Sequence, residues 1–531
     1  MNTKALRQKI LNLAIRGKLV SQDPNDEPAS ALLERIRVEK QQMVRDGKLK
    51  AKDIKNDTII FVGEDNLHYE KFQDGTVKCI EDEIPFEVPE GWEWCRVRNI
   101  SSVKGGKRLP KGMMFSDIIT NHAYIRVTDM KNRSINKIGL KYISDEVFSS
   151  IKAYTISKDD LYVTIAGTIG VVGEIPDELN GSNLTENAVK VCNIFINKTY
   201  LCYILLSTFV QEQFQDKTHQ VAMPKLALER ILSTLIPIAP IRKQSDIVQT
   251  VENVMYIIDE IEINKNELET KIIQIKSKIL DFAIRGKLVP QNPDDESASV
   301  LLDRIRVEKE ELIKQGKIKR DKQESIIFRG DDNSYYETIN GNTVCIDDEL
   351  PFELPEGWEW TRLQNVSSIL TDGTHKTPQY CDRGYIFLSS KNVTTGKIDW
   401  ENIMYIPESL HEELYNRLAP IKGDILLAKN GTTGVAAIVD RDVIFDIYVS
   451  LALIRIAGRL IDSQYILNVI GCSYVQEYFN KSLKGIGVPN LHLEHIRRTL
   501  IPIPPYAEQQ RITRITERAW QNFDEILGAL S

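Results

Sequence analysis

This sequence predicts a mixed α/β fold built twice. Two globular α/β domains are separated by two long antiparallel coiled-coil helices, in a pseudo-two-fold internal repeat. Three observations lead there. The first is the repeat: Ala14-Ile15-Arg16-Gly17-Lys18-Leu19-Val20 returns as Ala283-Ile284-Arg285-Gly286-Lys287-Leu288-Val289. In the same way Pro89-Glu90-Gly91-Trp92-Glu93-Trp94 returns as Pro355-Glu356-Gly357-Trp358-Glu359-Trp360, and Leu235-Ile236-Pro237-Ile238 as Leu500-Ile501-Pro502-Ile503. The second is a heptad pattern after Pro240. The third is that the two copies diverge strongly between each Trp-Glu-Trp and its Ile-Pro-Ile, where short β-rich segments alternate with helical ones.

The repeat divides the 531 residues into seven segments. These are an N-terminal spacer-helix piece (1–20), a helical arm and connector (21–90), a first variable domain (91–240), and a central spacer helix (241–290). A second arm and connector (291–356), a second variable domain (357–505) and a C-terminal spacer-helix piece (506–531) follow.

The spacer is read from periodicity. Ile247, Val251, Val254, Ile258, Ile261, Leu268, Ile272, Ile275, Ile279 and Phe282 recur at steps of four and three, with Lys265 the one break. That is coiled-coil spacing over about five heptads. Gly286 is a C-cap candidate beside Arg285, which faces the negative end of the helix dipole. Ile512, Ala519, Phe523 and Ile526 supply the first part of a second such helix, and Leu6, Ile10 and Leu13 the second part. Laid end to end they predict one helix antiparallel to the internal one.

Each arm is an amphipathic helix, with Leu32, Leu33, Ile36 and Met43 in one copy and Leu301, Leu302, Ile305, Leu312 and Ile313 in the other. Both run into basic tracts at 48–52 and 317–322. Two readings fit: a solvated surface arm, or a contact with DNA backbone or a partner. Residues 53–84 and 321–350 read as polar, short-stranded or irregular connectors.

Composition is that of a soluble protein, with a net charge of −7 that excludes a uniformly basic coat but not a local basic face. No apolar run approaches the ~20 residues of a membrane span, and the amphipathic N-terminus has no signal-peptide core. Seven scattered cysteines without metal spacing suit a reduced cytoplasmic protein.

Positive charge concentrates between Val103 and Lys141, where nine Lys/Arg face two acids. Lys104, Lys107, Arg108, Lys111, Arg126, Lys131 and Arg133 are among them. Gly105-Gly106 lets backbone approach a phosphate, and Lys or Arg can clamp phosphates or read guanine edges. The matching stretch of the second domain holds Thr374, His375 and Lys376. Gly167-Thr168 and Asn430-Gly431-Thr432 are either donor-rich contact loops or plain tight hairpins. Lys391, Lys429 and Lys484 complete the candidate DNA-contacting set. The loops before Leu226 and Leu491, the second with Gly485 and Gly487, are either groove contacts or structural turns.

Motifs of chemistry are missing. There is no Gly-x4-Gly-Lys-Ser/Thr loop and no dinucleotide fingerprint. Ile503-Pro504-Pro505-Tyr506 resembles a methyltransferase Asn-Pro-Pro-Tyr motif, but an apolar residue stands where the adenine amino group needs an acceptor. His492 and His495 lack the further ligands of a metal site, and Asp294-Asp295-Glu296 reads as a helix-capping turn.

Taken together, Ala-Ile-Arg-Gly-Lys-Leu-Val, Pro-Glu-Gly-Trp-Glu-Trp, the Pro489-Asn490-Leu491 helix leading to Ile-Pro-Ile-Pro-Pro, and Ala507-Glu508-Gln509-Gln510-Arg511-Ile512 resemble the specificity (S) subunits of type I restriction-modification systems. The likeness covers essentially the whole chain. The first copy departs from the last motif, reading Ile241-Arg242-Lys243-Gln244. The resemblance implies a non-catalytic ruler on double-stranded DNA. Its two target recognition domains each read half of an asymmetric bipartite site, and its coiled coil sets the gap. It also implies two modification subunits that bring S-adenosylmethionine, and restriction subunits that bring ATP and Mg; no cofactor is expected in this chain. Two other classes are weighed against it. A single-chain restriction-modification enzyme needs methyltransferase and nuclease motifs that are not found. A coiled-coil protein scaffold predicts little salt dependence, whereas DNA binding predicts a steep one.

Overall fold

Asn2 opens the first helix, its side chain accepting the amide of Ala5 at 3.0 Å, and the helix runs Thr3–Ile15. Gly17 ends it at φ +64°, and Gly286 ends the long helix Ile241–Ile284 at the same φ. A Cβ at either glycine would lie 2.4 Å from a proline ring, Pro89 or Pro355. Two motifs distant in sequence thus meet at one corner, and only glycine fits there. Arg16 lies 4.3 Å over the Phe86 ring and Arg285 4.3 Å over Phe352. The arginines of both corners are therefore occupied within their own copies.

This computed structural model describes residues 2–215, 225–321, 324–458, 460–483 and 489–530. The chain divides into two units, Met1–Asn264 and Lys265–Ser531. The long helix contributes its first half to one and its second half to the other.

In the first unit the N-terminal helix lies antiparallel to the long helix. Arg7 reaches Asp259 at 2.5 Å and Glu262 at 3.0 Å, while Asp26 meets Lys243 at the other end. In the second unit the C-terminal helix Tyr506–Leu530 does the same: Glu508 meets Gln291 and Asp524 meets Lys276. The predicted seam is buried at Ile247, Val251, Ile258 and Ile272, and half-buried at Val254 and Ile279. Ile261, Leu268, Ile275 and Phe282 are instead exposed. In the second half the inward stripe passes through Ile272, Lys276, Leu280 and Ala283. A helix of 3.6 residues per turn drifts about 20° per heptad from a strict seven-residue repeat, so the extrapolated seam rotates off the packed face.

Each arm packs one face and leaves the other solvated. Helix Ala29–Arg45 buries Ala29, Leu32, Ile36 and Lys40, and helix Ala298–Lys314 buries Ala298, Leu301, Ile305 and Lys309. Each buried ammonium finds oxygen: Lys40 bonds Asp57 at 2.5 Å and the Arg98 carbonyl at 2.8 Å, and Lys309 the Gln364 carbonyl at 2.9 Å. The connectors are ordered three-stranded antiparallel sheets, Ile59–Val62, His68–Lys71 and Val77–Cys79 in one copy, Ser325–Arg329, Tyr335–Ile339 and Asn342–Cys345 in the other. A buried arginine ties each to its domain. Arg96 bonds Glu70 and Glu83, both at 2.8 Å, and Arg362 bonds Glu337 at 2.7 Å and Glu349 at 2.8 Å. Burial acts to raise the Glu70 and Glu337 carboxyls, but the guanidinium and a hydroxyl neighbour outweigh it and hold both below the usual range.

The motifs that bracket each variable domain pair with one another. Glu93–Arg96 runs antiparallel to Leu235–Ile238, placing Trp94 opposite Pro237, and Glu359–Arg362 pairs with Leu500–Ile503 in the same register. Within each bracket the topology repeats. The first domain has an antiparallel sheet in the order Val172–Glu174, Leu161–Thr164, Ala188–Cys192, Ser102–Gly105. The second has Ala436–Ile438, Ile425–Ala428, Leu451–Ile456, Ser367–Asp372. A smaller sheet in each contains one parallel pair, Ser182–Leu184 with Ala123–Ile125, and Phe445–Ile447 with Tyr385–Leu388. The helical stretch after the strands is two helices in each copy. It breaks at Ser207 between Lys198–Leu206 and Thr208–Gln215, and at Cys472 between Ser463–Gly471 and Ser473–Lys481.

Candidate nucleic-acid interface

The edge strand of each main sheet is followed by a glycine where the two sheets of the domain meet. A Cβ at Gly106 would lie 2.1 Å from the Thr185 carbonyl oxygen, and one at Gly373 would lie 2.0 Å from that of Ile447. The next amides bond equivalent carbonyls, Lys107 to Leu184 at 2.8 Å and Thr374 to Ile447 at 3.1 Å. Lys107 and Thr374 are thus the same position in two frames. Beside them a hairpin turns at Gly167-Thr168 in one domain and Gly431-Thr432 in the other. Gly167, Gly170, Gly431 and Gly434 all take positive φ, and both threonines are exposed at the tips. The amide of Leu226 bonds the Ile165 carbonyl and that of Leu491 the Lys429 carbonyl, so a third strand of chain returns to the same place.

Around this frame the first domain carries exposed cations. Lys104, Lys107, Arg108 and Lys111 are all exposed on the strand end and the loop that follows. Arg108 bonds Glu186 at 2.7 Å; that hydrogen bond raises the guanidinium pKa, and Glu186 is lowered by it against the pull of burial. Lys107 lies 5.5 Å over the Tyr154 ring. Arg126 is a correction to the sequence reading. Its guanidinium bonds Asp129 at 2.6 and 3.0 Å and the Gly139 carbonyl at 2.9 Å, closing its own turn. Lys131 is exposed but set apart. Its ribbon borders Val172–Glu174, where the Glu174 amide bonds the Arg133 carbonyl, at the far edge of the sheet from Ser102–Gly105. Three strand spacings, roughly 14 Å, separate the two edges. Arg133 itself lies 4.4 Å over Tyr203.

In the second domain the cationic set thins further. Thr374 is 9% exposed and Lys429 4% exposed, so neither side chain presents a free surface. Lys429 bonds Asp372 at 2.6 Å, because a buried ammonium requires a counter-charge. What remains outward is His375, Lys376, Lys391 and Thr432, with half-buried Asn430 tied to Ser390 at 3.3 Å. His375 stands 3.5 Å from Asp372. Lys484 lies outside the described residues, as do most of the loops before Leu226 and Leu491.

Other candidates resolve into packing. Asp295 bonds Arg511 at 2.6 Å and Glu296 bonds Arg304 at 2.7 Å. The His492 and His495 rings are perpendicular with centroids 6.4 Å apart, and among the described residues no group of three or more His, Cys, Asp or Glu is placed to hold a metal. Ile503-Pro504-Pro505-Tyr506 spans the end of one strand and the start of the C-terminal helix.

Sequence reasoning missed Gln244 and Gln509. Both are fully buried, and each bridges its domain: Gln244 accepts the Asn197 amide at 2.9 Å and donates to the Ala239 carbonyl at 2.9 Å. Gln509 accepts from Asp462 at 3.0 Å and donates to Pro504 at 2.9 Å. The signal was present, since both glutamines stand five residues after the Ala or Pro that follows Ile-Pro-Ile.

Comparison with known proteins agrees with this geometry. The type I restriction modification DNA specificity domain model matches twice, over residues 89–270 and 355–526. The chain is 27% identical over 572 residues to the type I restriction enzyme EcoAI specificity subunit of Escherichia coli, covering 96% of this chain and 87% of that one. It is 26% identical over 594 residues to the EcoEI specificity subunit of the same species, covering 99% and 90%. A solved structure described as the structural basis of complex assembly and conformational transition of the type I R-M system superimposes with a TM-score of 0.50 at 16% identity. It covers 84% of this chain and 94% of that one, a likeness of fold. On the twofold match to its model, this chain belongs to the family of type I restriction-modification DNA specificity subunits.

Proposed function

We propose that each variable domain, 91–240 and 357–505, reads one half of an asymmetric bipartite site in double-stranded DNA. The long helix sets the gap between the halves. The carrying observation is that one backbone frame appears twice with different exposed side chains on the turn that leaves it: Lys107-Arg108 in one domain, His375-Lys376 in the other. Identical frames supply a common way of meeting a duplex, and different side chains supply different base preferences. Lys104, Lys107, Arg108 and Lys111 serve the first half-site. His375, Lys376, Lys391, Asn430 and Thr432 serve the second. Two readers on one spacer reinforce each other through effective concentration.

The spacer coil and the Arg-Gly-Lys-Leu-Val corners are the docking surfaces for helices of two modification subunits. Those subunits carry S-adenosylmethionine and methylate adenine. Restriction subunits add ATP- and Mg-dependent translocation and cleavage. The assembly works on DNA in a prokaryotic cytoplasm; no described helix is long and apolar enough to cross a membrane.

The test is a genome-wide map of methylated adenines in a methylation-free host that expresses this chain with its modification subunit. A new bipartite motif that disappears without this chain is the expected result. A stable complex that leaves no new methylation would sink the DNA reading and favour a protein scaffold.

A further inference from the structure

The loop 109–122 of the first domain exposes more aliphatic surface than its fold requires. Met114, Ile118 and Ile119 are 83%, 74% and 80% exposed. Yet the loop is firmly built. Phe115 sets its ring edge against Tyr124 at 5.4 Å, and with Leu109 it joins the cluster around Ile143 and Val147. The Ser116 amide bonds the Tyr142 carbonyl at 2.8 Å. Ser116 Oγ accepts the Ile118 amide at 3.2 Å and donates to the Ile118 carbonyl at 2.8 Å. Thr120 Oγ donates to the Ile143 carbonyl at 2.7 Å. The anchors fix the backbone on both sides of the aliphatic side chains and hold them outward.

Charge identifies what meets them. Lys107 and Lys111 are exposed on the same stretch and form no ion pair among the described residues, and Asp117 is the one acid between 106 and 122. Aliphatic tips flanked by cations suit a polyanion that offers apolar surface between its charges, which is the chemistry of a duplex opened at a base step. The corresponding stretch of the second domain, 373–384, contains no aliphatic residue larger than proline.

We propose that loop 109–122 is a wedge. It inserts Met114, Ile118 and Ile119 into a groove of the duplex beside the first half-site, unstacks a base step, and kinks the DNA there. Lys111 holds a phosphate beside the opened step. The proposal rests on the reading of this domain as a DNA reader and deepens it: the first half-site is recognised partly by how readily its neighbouring step opens.

The test uses the complete chain bound to its modification subunit, with duplexes carrying the mapped site, fluorophores at both ends and 2-aminopurine at successive positions. The native complex is expected to brighten 2-aminopurine at one step near the first half-site and to shorten the end-to-end distance. The variant Met114→Ser/Ile118→Ser/Ile119→Ser loses both signals and about tenfold in affinity, with second half-site selectivity unchanged. The single variant Ile118→Ser shows a partial loss and guards against misfolding of the triple one. A native complex that binds the site without a kink overturns the wedge, as does a triple variant that kinks DNA normally. A variant that binds DNA normally but no longer assembles with the modification subunit overturns it in favour of a protein contact. A native complex with no sequence preference on any duplex has a different signature: it removes the DNA-reading function itself, and the wedge with it.

Discussion

The two variable domains share a topology and differ in what lies beneath the reading position. In the second, Asp372 and Lys429 form a buried ion pair under the turn that carries Thr374 and His375. Strand register puts Gly105 and Ile165 at those places in the first domain, where the backbone hydrogen bonds are the same. One domain supports its turn with charge, the other with an apolar side chain and no counterpart. The frame therefore rests on the glycine that follows, Gly106 or Gly373, and on main-chain bonds; side chains above and below it are free to vary. One fold can thus carry unrelated side chains at the same position.

The largest expected effect tests the proposed role of the long helix in setting the gap between the half-sites. Deleting residues 263–269 removes one heptad from a stretch that is mostly exposed. At ~1.5 Å per residue the helix shortens by roughly 10 Å, about three base pairs of duplex. The methylated motif is expected to keep both half-sites and lose about three base pairs from its gap. An unchanged gap sinks the ruler, and a changed half-site sinks the independence of the heads.

Next in size is a test of what the copies share. Arg96 and Arg362 each hold two carboxylates in nearly equal geometry. Replacing either by Met leaves a buried glutamate without its counter-charge, at a cost of about 3–5 kcal/mol. Calorimetry of the two single variants should show losses of similar size. A loss confined to one variant would mean that the two connectors carry different loads.

A smaller effect sharpens the difference between the domains. Lys429→Ile alone strands Asp372 and should destabilise the second unit by about 2–4 kcal/mol. Adding Asp372→Ala brings this place close to its state in the first domain and should recover most of the loss. Failure of the double variant to recover would show that the pair positions the turn rather than merely neutralising itself.

Much of the architecture was legible because the repeat is written in residues with narrow structural uses. Gly17 and Gly286 mark corners that nothing larger fits, and Trp-Glu-Trp and Ile-Pro-Ile bracket each domain. The connectors read only as short-stranded or irregular because their strands are three to five residues long, too short for a clear period. The candidate site was only half legible. Sequence counts charges but does not show which are already paired, so Lys429 and Arg126 looked like free cations when Asp372 and Asp129 hold them. The wedge loop went unnoticed because Met114, Ile118 and Ile119 look like core residues until Phe115 and Leu109 are seen to fill the core position instead.

The smallest effect is a pH response that the two copies share in part. The Glu70 and Glu337 carboxyls sit below their unfolded value because arginine and hydroxyl neighbours outweigh burial. Groups of this kind contribute stability that is complete above the unfolded pKa, about 4.3, and is lost as pH falls through the folded one. Asp57 has the opposite sign. Burial raises it despite Lys40, so its contribution is complete below its unfolded pKa and is lost as pH rises through the folded value. Asp321, beside the matching Lys309, is 39% exposed at its side chain and lacks that burial. Acidification therefore subtracts the arginine-held carboxylates in both units but returns something at Asp57 in the first. Below about pH 4.3 the second connector should lose stability sooner than the first. Hydrogen exchange of strands Ile59–Val62 and Ser325–Arg329 across that range reads the two connectors separately. Asp57→Asn should bring their acid responses together; if they already coincide in the native chain, burial at Asp57 does not distinguish the copies.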